Sequence, residues 1–320
     1  MTGINELLGS AYSVAIAGHI GPDGDCVGSC MGMYLYLKKN RPDLQVDIYL
    51  ESVRDVFGYI ACVDEVKYEA DSEKIYDCFL ILDTSSPDRI GVAGKYLDTA
   101  KNVVCIDHHI TNEGFAEKNV IEANASSASE VVCGLLDPEK IDKETAIALY
   151  TGIIHDSGVL QYSNTSPDTL RTVAMLIDKG IPFSEIIDRS FYERTFAQNR
   201  VMGKVLENAR LHLDGQVIVG VVYPEDLTYY GVDKKDTDGI VSQLRLTKDV
   251  KAAVFLYPLE DGAFKVSLRA NGNTDVSKVA SAFGGGGHIK AAGCTLYGSA
   301  GEVTEKLLEE LAKELGWKRR

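Results

Sequence analysis

The chain has 320 residues, a length that fits two domains better than one. Hydrophobic residues make up 45% of it, so each half can bury a core, and no segment has the composition of a disordered region. The formal net charge is −14. This charge argues against a protein that holds long duplex nucleic acid, because each phosphate contact needs a Lys or Arg.

Cysteine usage and the N-terminal sequence indicate a cytoplasmic location. The seven cysteines are scattered, without a CxxC pair, and we interpret them as reduced thiols. The first residues lack the basic and apolar segments of a signal peptide. No apolar run approaches the roughly 20 residues of a membrane span, so we expect no membrane partner.

The first half of the chain alternates strand and helix patterns. Short apolar runs predict strands at 14–18, 45–50, 78–83 and 102–107. Between these runs, residues 26–39 and 89–100 predict helices. This alternation predicts a parallel sheet with helices on both faces. We assign residues 1–190 to this first domain and 191–209 to a helical connector.

Residues 210–320 predict a smaller, mixed α/β domain. Three apolar strand patterns, in QVIVGVVYP, VKAAVFLYP and AFKVSLRA, surround the helix candidate TDGIVSQLRL. A glycine run at 284–287 and a final amphipathic helix, GEVTEKLLEELAKEL, follow them. The fold class is therefore α/β in both domains, and we expect the active site in the cleft between them.

Five segments carry Asp, His or both in a pattern that predicts a metal site. They are GHIGPDGD with His19, Asp23 and Asp25, LILDTSS with Asp83, IDHHITN with Asp107, His108, His109 and Asn112, TGIIHDSG with Asp156, and GGGGHIKAAG with His288. In open parallel sheets ligands bind beyond the carboxyl ends of the strands, and three of the segments place Asp or His there. One Asp at a strand end is more often a turn or helix cap than a ligand, so the prediction depends on the joint pattern.

The residue types also favour particular ions. Carboxylates and imidazoles suit a hard to borderline ion with six ligands, and two imidazoles favour Mn²⁺ over Mg²⁺. Six candidate ligands suggest two ions, which can share a carboxylate and a bridging water when they lie about 3.5–4 Å apart. We expect two Mn²⁺, with Mg²⁺ or Co²⁺ able to substitute. His155 is not expected to be a ligand, because helix neighbours point in different directions.

These residues resemble a known family. GHIGPDGD, LDTSS, DHH and HDSG are similar to the four motifs of the DHH phosphoesterase superfamily, and GGGGHIKAAG resembles the signature of the DHH-associated C-terminal domain. Chain length and the two-domain plan are similar to the nanoRNase (oligoribonuclease)/pAp phosphatase group. Members of that group remove nucleotides from very short RNAs and dephosphorylate 3′-phosphoadenosine 5′-phosphate (pAp).

The resemblance implies a role for each residue. One Mn²⁺ would lie on His19 and Asp23, and the other on Asp25, His108 and Asp156, with Asp83 bridging both. Catalytic roles would fall to His109, which would face the scissile phosphate, and to Asp107, which would orient an imidazole. Substrate contacts would come from Arg89, Asn112, Arg269, Gly286, Gly287 and His288. Successive glycine N–H groups can cradle an anion, although a tight turn is the simpler interpretation of the glycine run.

We therefore expect Mn-dependent hydrolysis of phosphoester bonds by a metal-bridging hydroxide. The expected substrates are RNAs of two to five nucleotides, pAp, or both, and not long duplex nucleic acid; a homodimer is compatible with the sequence. Alternatives stay open: a phosphodiesterase for cyclic or linear dinucleotides (c-di-AMP or pApA), a single-strand exonuclease of the RecJ type, an inorganic pyrophosphatase and a non-catalytic nucleotide sensor.

Overall fold

The computed structural model describes residues 3–71 and 73–318, apart from the side chain of residue 260. The chain divides into two compact units, Met1–Glu193 and Arg194–Arg320. Among the described residues, no helix has the length and apolarity that a membrane crossing requires.

The first unit is built on a five-stranded parallel sheet. Its strands are β1 (Ser13–Ala17), β2 (Gln45–Tyr49), β3 (Cys78–Leu82), β4 (Val103–Asp107) and β5 (Lys118–Ile121), in the order β2-β1-β3-β4-β5. The four predicted strands are confirmed. The edge strand β5 was not predicted, because its short sequence KNVI is only partly apolar and only half-buried.

Helices and turns cover both faces of this sheet. They are α1 (Ile4–Leu8), α2 (Gly24–Asn40), α3 (Tyr96–Thr99), α4 (Ala128–Leu135), α5 (Lys143–Asp156), α6 (Pro167–Ile177) and α7 (Phe183–Ile187), followed by a π-helix (Asp188–Tyr192). One core joins α2, α4 and α5 to one face of the sheet. A second core around Tyr49, Tyr76 and Tyr96 covers the other face.

The helix predicted at 89–100 is wrong over most of its length. Only its last part is helical, as α3. Ile90 instead forms a β-bridge with His19, and the N–H of Gly91 donates to the carbonyl of Gly18 at 3.4 Å. Glycine is a poor helix former, so these tertiary contacts outweigh a weak local preference. They also join the segment after β3 to the segment after β1.

The second unit contains a six-stranded mixed sheet. Its strands are β6 (Arg210–His212), β7 (Val217–Val221), β8 (Ala252–Pro258), β9 (Ala263–Ala270), β10 (Gly286–His288) and β11 (Ala291–Tyr297), in the order β10-β11-β9-β8-β7-β6. Only β7 and β8 pair in parallel. The helices are α8 (Phe196–Asn208), α9 (Pro224–Tyr230), α10 (Ile240–Arg245), α11 (Val276–Ser281) and α12 (Ala300–Glu314). The predicted mixed α/β class is confirmed.

Helix α8 lies in the stretch that was predicted to be a connector. Its buried residues Val201 and Val205 belong to a core that includes Ile218 of β7 and Leu244 of α10. The helix therefore packs within the second unit.

Candidate metal centre

The carboxyl ends of three neighbouring strands bring the predicted Asp and His residues together. His19 follows β1 by two residues, Asp83 directly follows β3, and His108 directly follows β4. Since β1, β3 and β4 are adjacent and parallel, these side chains meet at one edge of the sheet. Asp83 has the left-handed φ of 52° and its side chain is buried.

The N-terminal turn of α2 adds two more carboxylates. Asp23 caps the helix and accepts from the N–H groups of Asp25 and Cys26 at 3.0 and 3.1 Å. The buried Asp25 carboxylate accepts from the N–H groups of Ala128 and Ser129 at 2.6 and 3.0 Å. Asp25 is therefore held between the first turns of α2 and α4, where the helix dipole favours negative charge.

Close packing of α2 on α5 brings Asp156 to the same place. A Cβ on Gly28 of α2 would lie 2.6 Å from the Ala148 carbonyl and the Gly152 nitrogen of α5. Glycine therefore permits an approach that any side chain would prevent. Asp156 is the last residue of α5, so this contact places its carboxylate near Asp25.

Two groups of donor atoms share the Asp83 carboxylate. His19 Nε2 lies 3.7 Å from Asp23 Oδ1 and 3.5 Å from Asp83 Oδ2. His108 Nε2 lies 3.6 Å from Asp83 Oδ1, 3.6 Å from Asp156 Oδ2 and 3.8 Å from Asp25 Oδ2. Such spacings are long for hydrogen bonds but suit donors that share one cation at roughly 2.0–2.2 Å from each.

The electrostatics of the cluster require positive charge. Burial and the neighbouring Asp83 raise the pKa of Asp25 well above its usual range, and burial raises the pKa of Asp156 to about 6. Burial acts to lower the pKa of both histidines, but Asp23 and Asp83 raise that of His19 to about 12, and Asp83 and Asp25 raise that of His108 to about 10. The residues therefore fit a cation, because carboxylates grouped in a buried site need a compensating charge.

Asp107 and His109 form a separate pair beside Asp83. His109 Nδ1 lies 2.8 Å from Asp107 Oδ1, and the Asn112 amide donates to Asp107 Oδ2 at 2.8 Å. Burial acts to raise the pKa of Asp107, but hydrogen bonds from His109 and Asn112 lower it below its usual value. Asp107 in turn raises the pKa of His109. Asp107 thus contacts the imidazole of His109 directly, and its orienting role stays a prediction.

Two predicted substrate residues of the first unit lie in different surroundings. Asn112 is buried, and its amide group also donates to the Thr84 carbonyl at 3.1 Å and accepts from the Gly114 N–H at 2.9 Å. Its contacts therefore hold Asp107 in place. Arg89 is exposed, and its carbonyl accepts from the Ile20 N–H at 2.8 Å, which keeps it beside the His19 segment.

The predicted residues of the second unit share one face of its sheet. His288 on β10 pairs with Ala291 on β11, which pairs with Arg269 on β9. Directly opposed residues of antiparallel strands point to the same side, so His288 and Arg269 face the same way, about 10 Å apart. Gly286 and Gly287 lie in the exposed edge strand β10 and not in a loop.

Sequence reasoning missed Cys26 and the surroundings of His155. The Cys26 side chain is buried and lies in one donor group with His19 and Asp83. The position of Cys26 directly after Asp25 was the signal in the sequence that could have indicated its place in the cluster. His155 packs edge-on against Phe57 and Phe191, with ring centroids 5.1 and 5.7 Å away. Burial lowers the pKa of His155 to about 4, so its ring adds no positive charge there.

The first unit therefore has a two-part Asp/His donor cluster that fits metal ions at the carboxyl edge of its parallel sheet, and a separate mixed α/β unit follows it. Residues 13–153 match the DHH family, N-terminal domain, and residues 214–316 match the DHHA1 domain. A Thermus thermophilus protein named "Bifunctional oligoribonuclease and PAP phosphatase NrnA" is 33% identical to this chain. The alignment covers 94% of this chain and 90% of that protein. The chain belongs to the DHH family of phosphoesterases, and the predicted similarity to the nanoRNase/pAp phosphatase group is confirmed.

Other relatives extend this comparison. The Bacillus subtilis protein of the same name is 27% identical to this chain, in an alignment that covers 92% of this chain and 93% of that protein. The "Cyclic-di-AMP phosphodiesterase PdeA" of Listeria monocytogenes is 25% identical over 92% of this chain but only 46% of its own. A solved structure of an exopolyphosphatase-related protein from Bacteroides fragilis superposes with a TM-score of 0.88 at 25% identity, covering 97% of this chain and 94% of the other.

Proposed function

We propose that this enzyme hydrolyses phosphoester bonds in RNAs of two to five nucleotides, in pAp, or in both, with two Mn²⁺ ions as cofactors. The observation that carries the proposal is the Asp83 carboxylate, which lies between His19 and His108 and so between two donor groups. The names of the Thermus and Bacillus relatives support the substrate class.

Each donor group would hold one ion. His19, Asp23 and Asp83 are assigned to the first, and Asp25, His108 and Asp156 with Asp83 to the second. When bound, such a pair of ions activates water near neutral pH and offsets the charge that builds up on a phosphoryl group. Mg²⁺ and Co²⁺ are the proposed substitutes.

His109 is proposed to act on the substrate through Nε2. Its Nδ1 is engaged by Asp107, which sets the ring orientation and favours the protonated form. A protonated His109 can donate to the scissile phosphate or to the leaving oxygen. Asn112 supports this arrangement by holding the second oxygen of Asp107.

The second unit is proposed to bind the remainder of the substrate. Arg269 and His288 face the same side of the sheet, and the exposed backbone of Gly286 and Gly287 lies beside them. A guanidinium, an imidazole and uncovered backbone suit a phosphate or a terminal nucleotide. Arg89 is proposed to contact the phosphate from the first unit.

An assay panel with Mn²⁺ tests the substrate class. It contains pAp, pApA, an RNA five-mer, an RNA 24-mer, cyclic di-AMP and pyrophosphate. We expect turnover of one or more of the first three, and little of the 24-mer or pyrophosphate. Fast turnover of only the 24-mer or only pyrophosphate would overturn the proposal. The expected cytoplasmic location and homodimer are tested separately, by cell fractionation and light scattering.

A second candidate function is a phosphodiesterase for cyclic di-AMP. The Listeria relative with that name favours it, although this chain spans less than half of that protein. The panel separates the two, because this candidate requires cyclic di-AMP to be the best substrate.

A further inference from the structure

A stripe of aromatic and polar side chains runs along α8 in the second unit. Phe196, Arg200, Lys204 and Asn208 are spaced by four residues, so neighbouring members lie next to one another in a stripe that turns about the helix by about 40° per step. At 1.5 Å per residue, the stripe is about 18 Å long. This length exceeds what one nucleotide needs and suits a short strand.

The first part of the stripe is an aromatic platform around a guanidinium group. The Arg200 guanidinium carbon lies 4.8 Å from the ring centroid of Tyr230, 5.6 Å from that of Tyr229 and 5.8 Å from that of Phe196. Phe196 is 79% exposed and Tyr229 is 72% exposed, so most of each side chain is open to solvent. Exposed aromatic rings interleaved with Arg are typical of surfaces that stack unpaired bases.

The second part of the stripe enters a groove of about 850 Å³. Lys204 and Asn208 line this groove together with Arg210 and His212 of strand β6. Neither Lys204 nor Arg210 has a carboxylate within ion-pair distance in the described parts of the chain. Lys204 and Arg210 are therefore two cations on the wall of this groove that can contact a phosphate, in a protein of net charge −14.

Acidic side chains on other elements give the groove a mixed character. Glu225 and Asp226 of α9 and Glu305 of α12 also line it, and Asp226 is engaged in capping α9 through the Tyr223 N–H. A simple anion would not need these carboxylates. A ribonucleotide can use them, because its 2′-hydroxyl and exocyclic amines donate hydrogen bonds, while its phosphates can contact Lys204 and Arg210. The groove therefore fits RNA better than a free phosphate.

The position of this surface separates it from the substrate residues assigned above. It lies at the β6 and β7 edge of the sheet, whereas Arg269 lies on the inner strand β9 and His288 on the opposite edge strand β10. From β6 the sheet spans three strand intervals, or roughly 14 Å, to β9, and five intervals, or roughly 24 Å, to β10. One nucleotide cannot occupy both places.

We propose that the α8 stripe and its groove form a second binding site for single-stranded RNA. An unpaired base stacks on Phe196, Tyr229 and Arg200, and the adjoining backbone lies along Lys204 and Arg210. The proposal rests on the proposed function in one respect, that RNA is the ligand class. It adds a site that retains an RNA independently of the metal centre.

Fluorescence anisotropy of a labelled RNA five-mer in EDTA tests the proposal without hydrolysis. Phe196→Ala/Tyr229→Ala should weaken binding at least about fivefold, since each stacked base contributes about 5- to 150-fold in affinity. Lys204→Gln/Arg210→Gln should reduce the slope of log K against log salt by about 1.4, or about 0.7 per phosphate contact. The control Tyr297→Ala removes a ring that is 68% exposed on β11 and should bind like the wild type.

Three outcomes would overturn the site: no binding by the wild type, unchanged affinity in both double variants that circular dichroism shows to be folded, or an equal loss in the control. A platform variant that changes oligomeric state but not RNA affinity would assign the rings to a protein contact instead. Because no turnover is measured, a failure of the hydrolysis panel leaves this result standing, and a failure here leaves the catalytic proposal standing.

Discussion

At the scale of single residues, the site depends on side chains that have more than one partner. Asp107 holds His109 with one oxygen and Asn112 with the other, and it is completely buried. Asp25 accepts two backbone N–H groups while it lies 3.8 Å from His108. These contacts determine where each donor atom points, so a substitution that keeps the size but changes the charge is the informative one.

Asp107→Asn should move the alkaline limit of activity to lower pH. Asp107 raises the pKa of His109, so the protonated ring persists to higher pH in the wild type. Activity that needs this proton is lost as the pH rises through the pKa of His109. Removal of the negative charge of Asp107 lowers that pKa. We expect a decrease of roughly 10–100-fold in kcat as well. The measurement is kcat/KM for pApA against pH, and an unchanged alkaline limb would contradict the role of Asp107.

At the scale of elements, the contact between α2 and α5 sets the spacing of the cluster. Gly28 and Gly152 allow the two helices to approach, and Gly152 also faces Ser129 of α4. A Cβ at Gly152 would overlap Ser129 Oγ and lie 2.7 Å from Asp25 Oδ1. The lack of a side chain at Gly152 therefore leaves room for the carboxylate of Asp25, a proposed metal ligand.

Gly152→Ala should weaken metal binding and destabilise the protein by about 1–3 kcal/mol through overpacking. Isothermal titration with Mn²⁺ and thermal unfolding measure the two effects. Gly203→Ala is the matched control, because Gly203 is a helical glycine with no atom within 4 Å of its added Cβ. That control should be neutral or slightly stabilising. Wild-type Mn²⁺ affinity in Gly152→Ala would show that the helix contact does not position Asp25.

Local patterns were sufficient for the strands that carry the site, because their apolar runs are continuous and an Asp or His lies at each strand end or within two residues after it. Contacts between elements that are distant in sequence explain the features that were not predicted. Residues 89–95 were predicted to be helical, but Ile90 pairs with His19. The glycines of β10 gave no strand signal, since their pairing depends on β11. Cys26 and His155 could not be placed, because what each one touches lies on other elements.

At the scale of the whole molecule, the proposed metal ligands and the proposed substrate residues of the sheet in residues 194–320 fall in different units. The proposed metal ligands all belong to Met1–Glu193, while Arg269 and His288 belong to Arg194–Arg320. Each unit has cores of its own. Metal binding should therefore tolerate changes in the second unit that weaken substrate binding.

Arg269→Ala/His288→Ala should raise KM for pApA at least about tenfold, because charge-assisted hydrogen bonds contribute about 1.5–3 kcal/mol each. Metal content should stay at the wild-type level. Steady-state kinetics and elemental analysis of the same preparation test both statements. An unchanged KM would remove these residues from the substrate site, and a loss of metal would show that the variant acts through the first unit.

The most direct test of the proposed two-metal centre is the Mn²⁺ stoichiometry of the protein with and without Asp83. We predict two ions per wild-type chain, and the loss of both high-affinity binding and pApA hydrolysis in Asp83→Ala, because its carboxylate lies between His19 and His108. Asp88→Ala, which changes an exposed carboxylate in the same segment, should keep two ions and full activity. Two tightly bound ions or retained Mn²⁺-dependent hydrolysis in Asp83→Ala would contradict a shared-carboxylate metal centre.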